Sequence, residues 1–345
     1  AVSSAGMRNR DLIVIGGSAG AIEALRTMAR RLPADLPASV LVVVHRGLQG
    51  PNLLATILAA EGALPAMPAE EGQPLEHGRI YVAPPDRHLL IAHDHLHVRR
   101  GPRENRARPA IDPLFRSAAV CCSTRVIGVV LSGMLDDGSS GLVAIKRCGG
   151  ITVIQDPRDA VYPEMPRSAA RHVAVDHVAT SRELGALLDS LARSRRPAPV
   201  EAPEEVRLEA MIAAQELTVM PDRKMFGSLS PLTCPECSGV MQEMHDSGLV
   251  RYRCHTGHAF TLETLRTAQN DIWERTLYAA LRSQQEQAML ARRVAEEARA
   301  REEKRSAEEF DRRALDYEEG AEVIRQLLSR PPIVDDSVPE PELVN

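Results

Sequence analysis

Six short β-branched runs dominate residues 11–192: DLIVIG (11–16), SVLVVVH (39–45), RIYVA (79–83), VIGVVLSG (126–133), ITVIQD (151–156) and VAVDHV (173–178). They are apolar nearly throughout rather than at every second position, so strands built from them need cover on both faces. Helical patterns at 19–31, 51–61, 112–122 and 139–148 fall between them and can supply that cover. The alternation predicts an α/β domain with a doubly wound, mostly parallel sheet, closed by a helix at about 181–193. HLLIAHDHLHVRR (88–100) reads as a small hairpin turning at HD.

Beyond residue 193 the texture changes. RSRRPAPVEAPEE is proline-rich and charged, the composition of a linker, placed at 194–230. A compact Cys/His segment occupies 231–262, and 263–330 is nearly free of Gly and Pro. Trp273, Leu277, Leu281 and Ala288 recur there at helical spacing, and SAEE (306–309) offers a capping box. Two antiparallel helices, about 264–300 and 307–329, are expected to bury Trp273 and its leucine stripe against each other or another chain. Residues 1–10 read as a leader or expression-derived segment, and the acidic, proline-punctuated 331–345 as a disordered tail.

Composition narrows the function classes. With 345 residues and 44% apolar content the chain can build a real core, and its net charge of −5 gives no general attraction to nucleic acid or anionic membrane. Only 3% of residues are aromatic, against a base-stacking platform. No run is long enough to span a membrane, and the N-terminus lacks a signal-peptide core. A reduced, cytoplasmic compartment is expected, with Cys121, Cys122 and Cys148 as buried thiols.

GGSAG (16–20) matches G-x-S-x-G, a strand–turn–helix elbow that lifts Ser18 above a strand's carboxyl end. Gly16 and Gly17 allow a sharp bend, Gly20 lets the helix pack closely, and the first free helix amides face whatever Ser18 attacks. A phosphate-binding loop is the rival reading, although the spacing is neither G-x-G-x-x-G nor a lysine-bearing P-loop. His45 ends the next predicted strand, on the sheet edge where α/β sites form, and is placed to act as base. LSGMLDDGSSGL (131–142) carries Asp136 and Asp137, either of which could orient that imidazole.

IGGSAGAIEAL, VVVHR, YVAPPDRHLLI, RPAIDPLFRSAA, LSGMLDDGSSGL and DPRDAVYPEMPRSA occur in one order over 11–192. Together they resemble the catalytic domain of CheB, the chemotaxis protein-glutamate methylesterase family. The resemblance implies a sheet of about seven strands and a triad of Ser18, His45 and Asp137, with Asp137 on the family's aspartate. It nominates the backbone amides of Ala19 and Met134 as the oxyanion hole. The implied reaction is hydrolysis of γ-glutamyl methyl esters on chemoreceptor-type or other methylated signalling proteins, and the same parts could deamidate glutamine. A methyltransferase or a response regulator is implied as a further partner, with no nucleic acid and no membrane insertion. Two departures stand out. Ala19 replaces a threonine common in relatives, and no segment before residue 11 could hold a receiver domain, so control through an attached receiver is not expected.

CPEC (234–237) and RCHTGH (253–258) give C-x₂-C, sixteen residues, then C-x₃-H, the spacing of a zinc ribbon. Cys234, Cys237, Cys254 and His258 are the expected ligands, with His255 as competitor for the fourth position. Four protein ligands make the zinc structural, and no cofactor is expected for catalysis. His93, His95 and His97 read as residues flanking a hairpin turn, and Arg99, Arg100, Arg103, Arg106 and Arg108 as a basic loop. The alternative function is a non-catalytic adaptor that reuses the esterase fold for protein binding.

Overall fold

The computed structural model describes residues 9–45, 53–216, 227–246 and 248–329. Most of the expected leader, residues 217–226 of the expected linker and the expected disordered tail lie outside them. Packing divides the chain into two compact units, Ala1–Leu265 and Arg266–Asn345.

In the first unit, strands β1 (Leu12–Gly17) and β2 (Ser39–Val44) flank helix α1 (Ala21–Ala29). Helix α2 (Leu53–Glu61) leads to β3 (Ala66–Pro68) and β4 (Ile80–Val82), and a hairpin follows, β5 (His88–Ala92) and β6 (His95–Arg99). Then come α3 (Ile111–Cys122), β7 (Val126–Val130), α4 (Ser139–Arg147), β8 (Ile151–Gln155), α5 (Glu164–His172), β9 (His177–Ala179), α6 (Ser181–Arg193) and α7 (Glu204–Ala214). Seven strands form one sheet in the order β3-β4-β2-β1-β7-β8-β9, every neighbouring pair parallel.

Every residue of β1 is buried, and its side chains alternate between two cores. Leu12 and Val14 pack with Leu114 and Phe115 of α3 and Leu142 of α4. Ile13 and Ile15 pack with Leu25 and Met28 of α1, Leu58 of α2 and Leu188 of α6. Two apolar faces on one sheet are what apolar runs without period-2 alternation require, and the doubly wound expectation holds. The chain winds outward from β1 to β3 and then returns to place β7 on the other flank of β1. The crevice between β1 and β7, at their carboxyl ends, is the topological switch point where such sheets place ligands.

Four elements depart from the sequence reading. Strand β3 is only three residues long and lies at the sheet edge. Helix α5 was obscured by Pro163 and Pro166, which sit at its N-cap and in its first turn, where a missing N–H costs nothing. Its last turn reaches His172, so the following strand begins at His177 rather than Val173. Part of the stretch read as linker is α7, with Val206, Glu209 and Ile212 buried. The preceding segment is pinned by Ser123 Oγ, which donates to the Val200 carbonyl at 2.8 Å.

Strands β10 (Ser228–Thr233), β11 (Val240–Asp246), β12 (Leu249–Cys254) and β13 (Ala259–Thr261) form an antiparallel sheet in sequence order within the first unit. A buried charge cluster fastens it to the parallel-sheet layer. Arg251 and Arg253 of β12 meet Glu209 of α7 at 2.5 and 2.6 Å, Arg253 meets Glu104 at 3.3 Å, and Glu104 pairs with Arg116 of α3.

Helices α8 (Leu262–Ala300) and α9 (Lys304–Leu328) follow. Arg292 pairs with Glu318 at 2.6 Å and Arg299 with Asp311, an antiparallel register. The buried seam consists of alanines, among them Ala288, Ala295, Ala307, Ala314 and Ala321. Trp273 is 52% exposed, because the register places the end of α9 opposite residue 282, short of it. The expected burial of Trp273 between the helices is therefore corrected. The SAEE box is also unused, since α9 begins at Lys304 and Ser306 falls inside its first turn. Among the described residues no helix is long and apolar enough to cross a membrane.

Candidate active site

Gly17 and Val44 are partners in the β1–β2 register, and the His45 amide donates to the Gly17 carbonyl at 3.1 Å. Ser18 and His45, the next residues, thus leave adjacent parallel strands side by side, both half-buried. The Ser18 amide donates to the Ser132 carbonyl at 2.9 Å, which ties the turn after β1 to the loop after β7. The left-handed residue of the elbow is Gly20, φ 76, at the N-cap of α1. Gly16 and Gly17 lie within β1, so the bend expected at them falls at Gly20 instead.

The loop after β7 carries Met134, Asp136 and Asp137. A Cβ on Gly133 would stand 2.0 Å from Met165 Sδ and 2.8 Å from Ser18 Cβ, so the loop approaches the serine as closely as a backbone can. Leu135 holds φ 63, a strained conformation for a branched side chain. Among the described residues neither the Ala19 nor the Met134 amide donates to a protein acceptor, and the Met134 side chain is exposed.

Asp137 is buried and its carboxylate is saturated with donors. Oδ2 receives His45 Nε2 at 2.6 Å and the Ile111 amide at 2.7 Å. Oδ1 receives Asn105 Nδ2 and the Gly138 amide, both at 2.9 Å. Burial alone would push this carboxyl up, but the His45 hydrogen bond and charge, with the Ile111 and Asn105 donors, hold it low, at about 2. Asp112 lies against it and is pushed the other way, first by burial and then by the charge of Asp137. Asp136, the other candidate, is not bonded to His45 among the described residues, and its Oδ1 accepts the Thr261 hydroxyl at 2.8 Å. Burial and the neighbouring Asp137 raise Asp136 to about 7, against the Thr261 bond.

Ser18, His45, Asp137, Ala19 and Met134 therefore sit on one rim of the sheet. Asn105 and Asp112, which the sequence reading did not single out, complete the surroundings of Asp137. Both belong to ENRARPAIDPLF, where nothing in residue type or spacing distinguishes them from a polar loop and a helix start. The basic stretch beside them is largely engaged: Arg100 and Arg108 pair with Asp86, Arg99 with Glu71 and Arg103 with Glu236. His93 and Asp94 both take positive φ at the turn of the β5–β6 hairpin.

A second cluster lies in the antiparallel sheet. The ligand atoms of Cys234, Cys237, Cys254 and His258 all fall within 4.8 Å of one another. Cys237 and Cys254 Sγ are 3.7 Å apart, and Cys254 Sγ is 3.5 Å from His258 Nδ1. Bonds of about 2.3 Å to sulfur in a tetrahedron separate sulfurs by about 3.8 Å, so three thiols and an imidazole at this spacing fit zinc. His255 is exposed and outside the cluster.

The CheB methylesterase family profile matches residues 13–188. A Leptospira interrogans protein named "Putative protein-glutamate methylesterase/protein-glutamine glutaminase" is 38% identical over 180 residues, which cover 52% of this chain and 93% of that protein. A protein-glutamate methylesterase/protein-glutamine glutaminase of Anaeromyxobacter dehalogenans is 38% identical over 183 residues, 53% of this chain and 54% of the relative. The crystal structure of the Thermotoga maritima CheB methylesterase catalytic domain superposes with a TM-score of 0.50 at 29% identity, covering 52% of this chain and 98% of that one. The elbow serine, the strand-end histidine and the doubly wound sheet thus coincide with a match over half of the sequence, and the chain belongs to the CheB methylesterase family of carboxylic-ester hydrolases.

Proposed function

We propose that the chain is a protein-glutamate methylesterase that hydrolyses γ-glutamyl methyl esters on methylated chemoreceptor-type proteins in the cytoplasm. The observation that carries this reading is the 2.6 Å contact between His45 Nε2 and Asp137 beside Ser18. Asp137 is held ionised, so it accepts the Nε2–H and leaves Nδ1 as the basic nitrogen. Ser18 attacks the ester carbonyl while His45 takes its proton. The developing oxyanion is held by the Ala19 and Met134 amides at the N-terminus of α1 and in the loop after β7. His45 then returns the proton to the departing methoxide, and methanol leaves. A water activated in the same way attacks the acyl-enzyme and frees the glutamate carboxylate. A positioned base contributes about 10²–10⁴-fold and one oxyanion donor about 10²–10³-fold, enough for an ester. Glutamine deamidation uses the same parts against a poorer leaving group.

Exposed Ile22, Met134, Val161 and Tyr162 give the rim an apolar margin suited to the face of a receptor helix. Gly20 keeps that margin close, since a Cβ there would lie 2.8 Å from Val161 Cβ. Cys234, Cys237, Cys254 and His258 would hold a zinc ion, which would supply a fold-stabilising crosslink, while Ser18 and His45 carry the ester chemistry. The test is methanol release from membranes containing methylated receptors. Wild type is expected to release methanol and Ser18→Ala to lose at least about 10³-fold; a folded wild type that releases none overturns the reading.

A further inference from the structure

Asn105 lies outside the elbow, the strand-end histidine and the acid loop, yet its carboxamide is used to capacity between the two sheets. Nδ2 donates to Asp137 Oδ1 at 2.9 Å and to Asp112 Oδ2 at 3.0 Å. Oδ1 accepts the Thr261 amide at 3.1 Å and the Thr264 hydroxyl at 3.2 Å. An amide N–H can only donate and an ionised carboxylate can only accept, so just one orientation of this carboxamide is possible. Its backbone is tied to the same strand. The Asn105 amide donates to the Ala259 carbonyl at 2.8 Å, and the Ala259 amide reaches the Arg103 carbonyl at 3.3 Å. Asn105 takes φ 50, a left-handed conformation that asparagine tolerates better than most residues.

Thr261 makes a second connection between the same two places. Its Oγ1 accepts the Thr264 amide at 3.1 Å, as an N-cap does for α8, and its hydroxyl donates to Asp136. The end of β13 therefore touches both acidic residues of the loop after β7, one directly and one through Asn105.

We propose that Asn105 is a positioning residue for Asp137, held in place by Thr261 and Thr264, so that the antiparallel sheet is a working part of the esterase site. The proposal rests on the His45–Asp137 assignment made above. Its physical content is that a carboxylate bonded to His45 through one oxygen is free to rotate unless the other oxygen is also held. Asn105 and the Gly138 amide hold that oxygen at 2.9 Å, with the Asp112 amide farther off at 3.3 Å, and Asn105 Nδ2 bonds both Asp137 and Asp112. The titratable groups around Asp137 are His45, Asp112, Asp136 and His88. Without the Asn105 donor, Asp137 and Asp112 face each other with less compensation, and Asp137 takes up a proton at higher pH.

The test uses the full chain, with Asn105→Gly, which accepts the left-handed backbone, and Thr264→Val, which removes one donor to Asn105 and leaves Asn105 in place. Methanol release gives kcat and KM across pH, and proton NMR follows the downfield imidazole N–H that His45 shares with Asp137. Asn105→Gly is expected to lower kcat about 10–100-fold with KM changed less than about twofold, the scale of one hydrogen bond to a charged group. The acid limb of its rate profile should rise by about one pH unit and the N–H resonance should move. Thr264→Val should shift the same quantities in the same direction, by less. A folded Asn105→Gly with wild-type kcat, acid limb and resonance overturns the proposal. If Asn105→Gly does not fold, Thr264→Val decides by the same readouts, unchanged values overturning it. If wild type itself releases no methanol, the esterase reading fails, and the resonance alone decides for Asn105.

Discussion

Asp112 and Asp137 share two donors: Asn105 Nδ2 reaches both carboxylates, at 3.0 and 2.9 Å, and the Gly138 amide reaches both, at 3.1 and 2.9 Å. Two carboxyl groups this close do not both ionise readily, and their surroundings push them apart, Asp137 down and Asp112 up. At position 112 an Asn keeps the carbonyl that accepts the Gly138 and Gly141 amides and loses only the acceptor for Asn105 Nδ2, whereas at 137 it removes the charge that faces His45. Asp137→Asn should lower kcat for methanol release by about 10³–10⁴-fold, because the imidazole loses its orienting acceptor. Asp112→Asn should stay within about tenfold of wild type. Equal losses in the two variants would refute the division of roles.

The elbow tolerates no side chain at Gly20. A Cβ there would stand 2.7 Å from Ser132 Oγ, on a backbone with φ 76. Gly20→Ala should cost about 1–2 kcal/mol of stability from the left-handed backbone alone, and more with the clash. Chemical denaturation reads the stability. Labelling of Ser18 by a fluorophosphonate, expected to slow at least about tenfold, reads the displaced nucleophile.

Stability should respond to Asp136 between pH 5 and pH 8. Its folded pKa is raised, to about 7, against about 3.9 for a free aspartate. The folded state therefore keeps a proton that the unfolded chain gives up. The resulting stabilisation is full below about pH 4 and is lost as pH rises through about 7. Urea unfolding should show wild type losing on the order of 2 kcal/mol more than Asp136→Asn between pH 5 and 8. Parallel pH dependence in the two proteins would contradict the assignment.

The Cys/His cluster predicts one zinc per chain by elemental analysis, lost in Cys254→Ser. Chelation should lower the thermal midpoint by about 5 °C or more, since binding free energy at such a site is folding free energy. A chain purified with zinc whose melting is indifferent to chelation would remove the structural role.

Glu209 is almost fully buried and faces Arg251 and Arg253 at 2.5 and 2.6 Å, with Arg116 at 3.6 Å. Glu209→Gln should destabilise the first unit by about 3–5 kcal/mol, because it leaves buried guanidinium groups short of negative charge. A loss below about 1 kcal/mol in urea titration would show that water reaches the cluster.

The sequence carried the layer architecture because β1, β2 and β7 bear no polar side chain except Ser39, a pattern that a sheet covered on both faces satisfies. It also carried Ser18 and His45, each at the end of such a run. What it hid has definite causes. Helix α5 is masked by prolines that its first turn accepts, and α7 by the charged, proline-rich stretch that leads into it. Residue type alone does not separate Asp136 from Asp137, and only the family resemblance pointed to Asp137, which is the one bonded to His45. Asn105 and the charges at 104, 116, 209, 251 and 253 have no local signature, since they acquire meaning only when segments some 150 residues apart in sequence meet.

That charge cluster also bears on how the molecule can evolve. The cluster sets two carboxylates against three guanidinium groups, so replacing either glutamate alone passes through an intermediate with more unmatched charge in a place water does not reach, whereas concerted replacement by apolar residues of similar volume carries no such penalty. Drift at these five positions should therefore be correlated: lineages retain the set or exchange it together, and a gene fusion joining the parallel-sheet half of one relative to the antiparallel sheet of another should fail unless both halves descend from the same set.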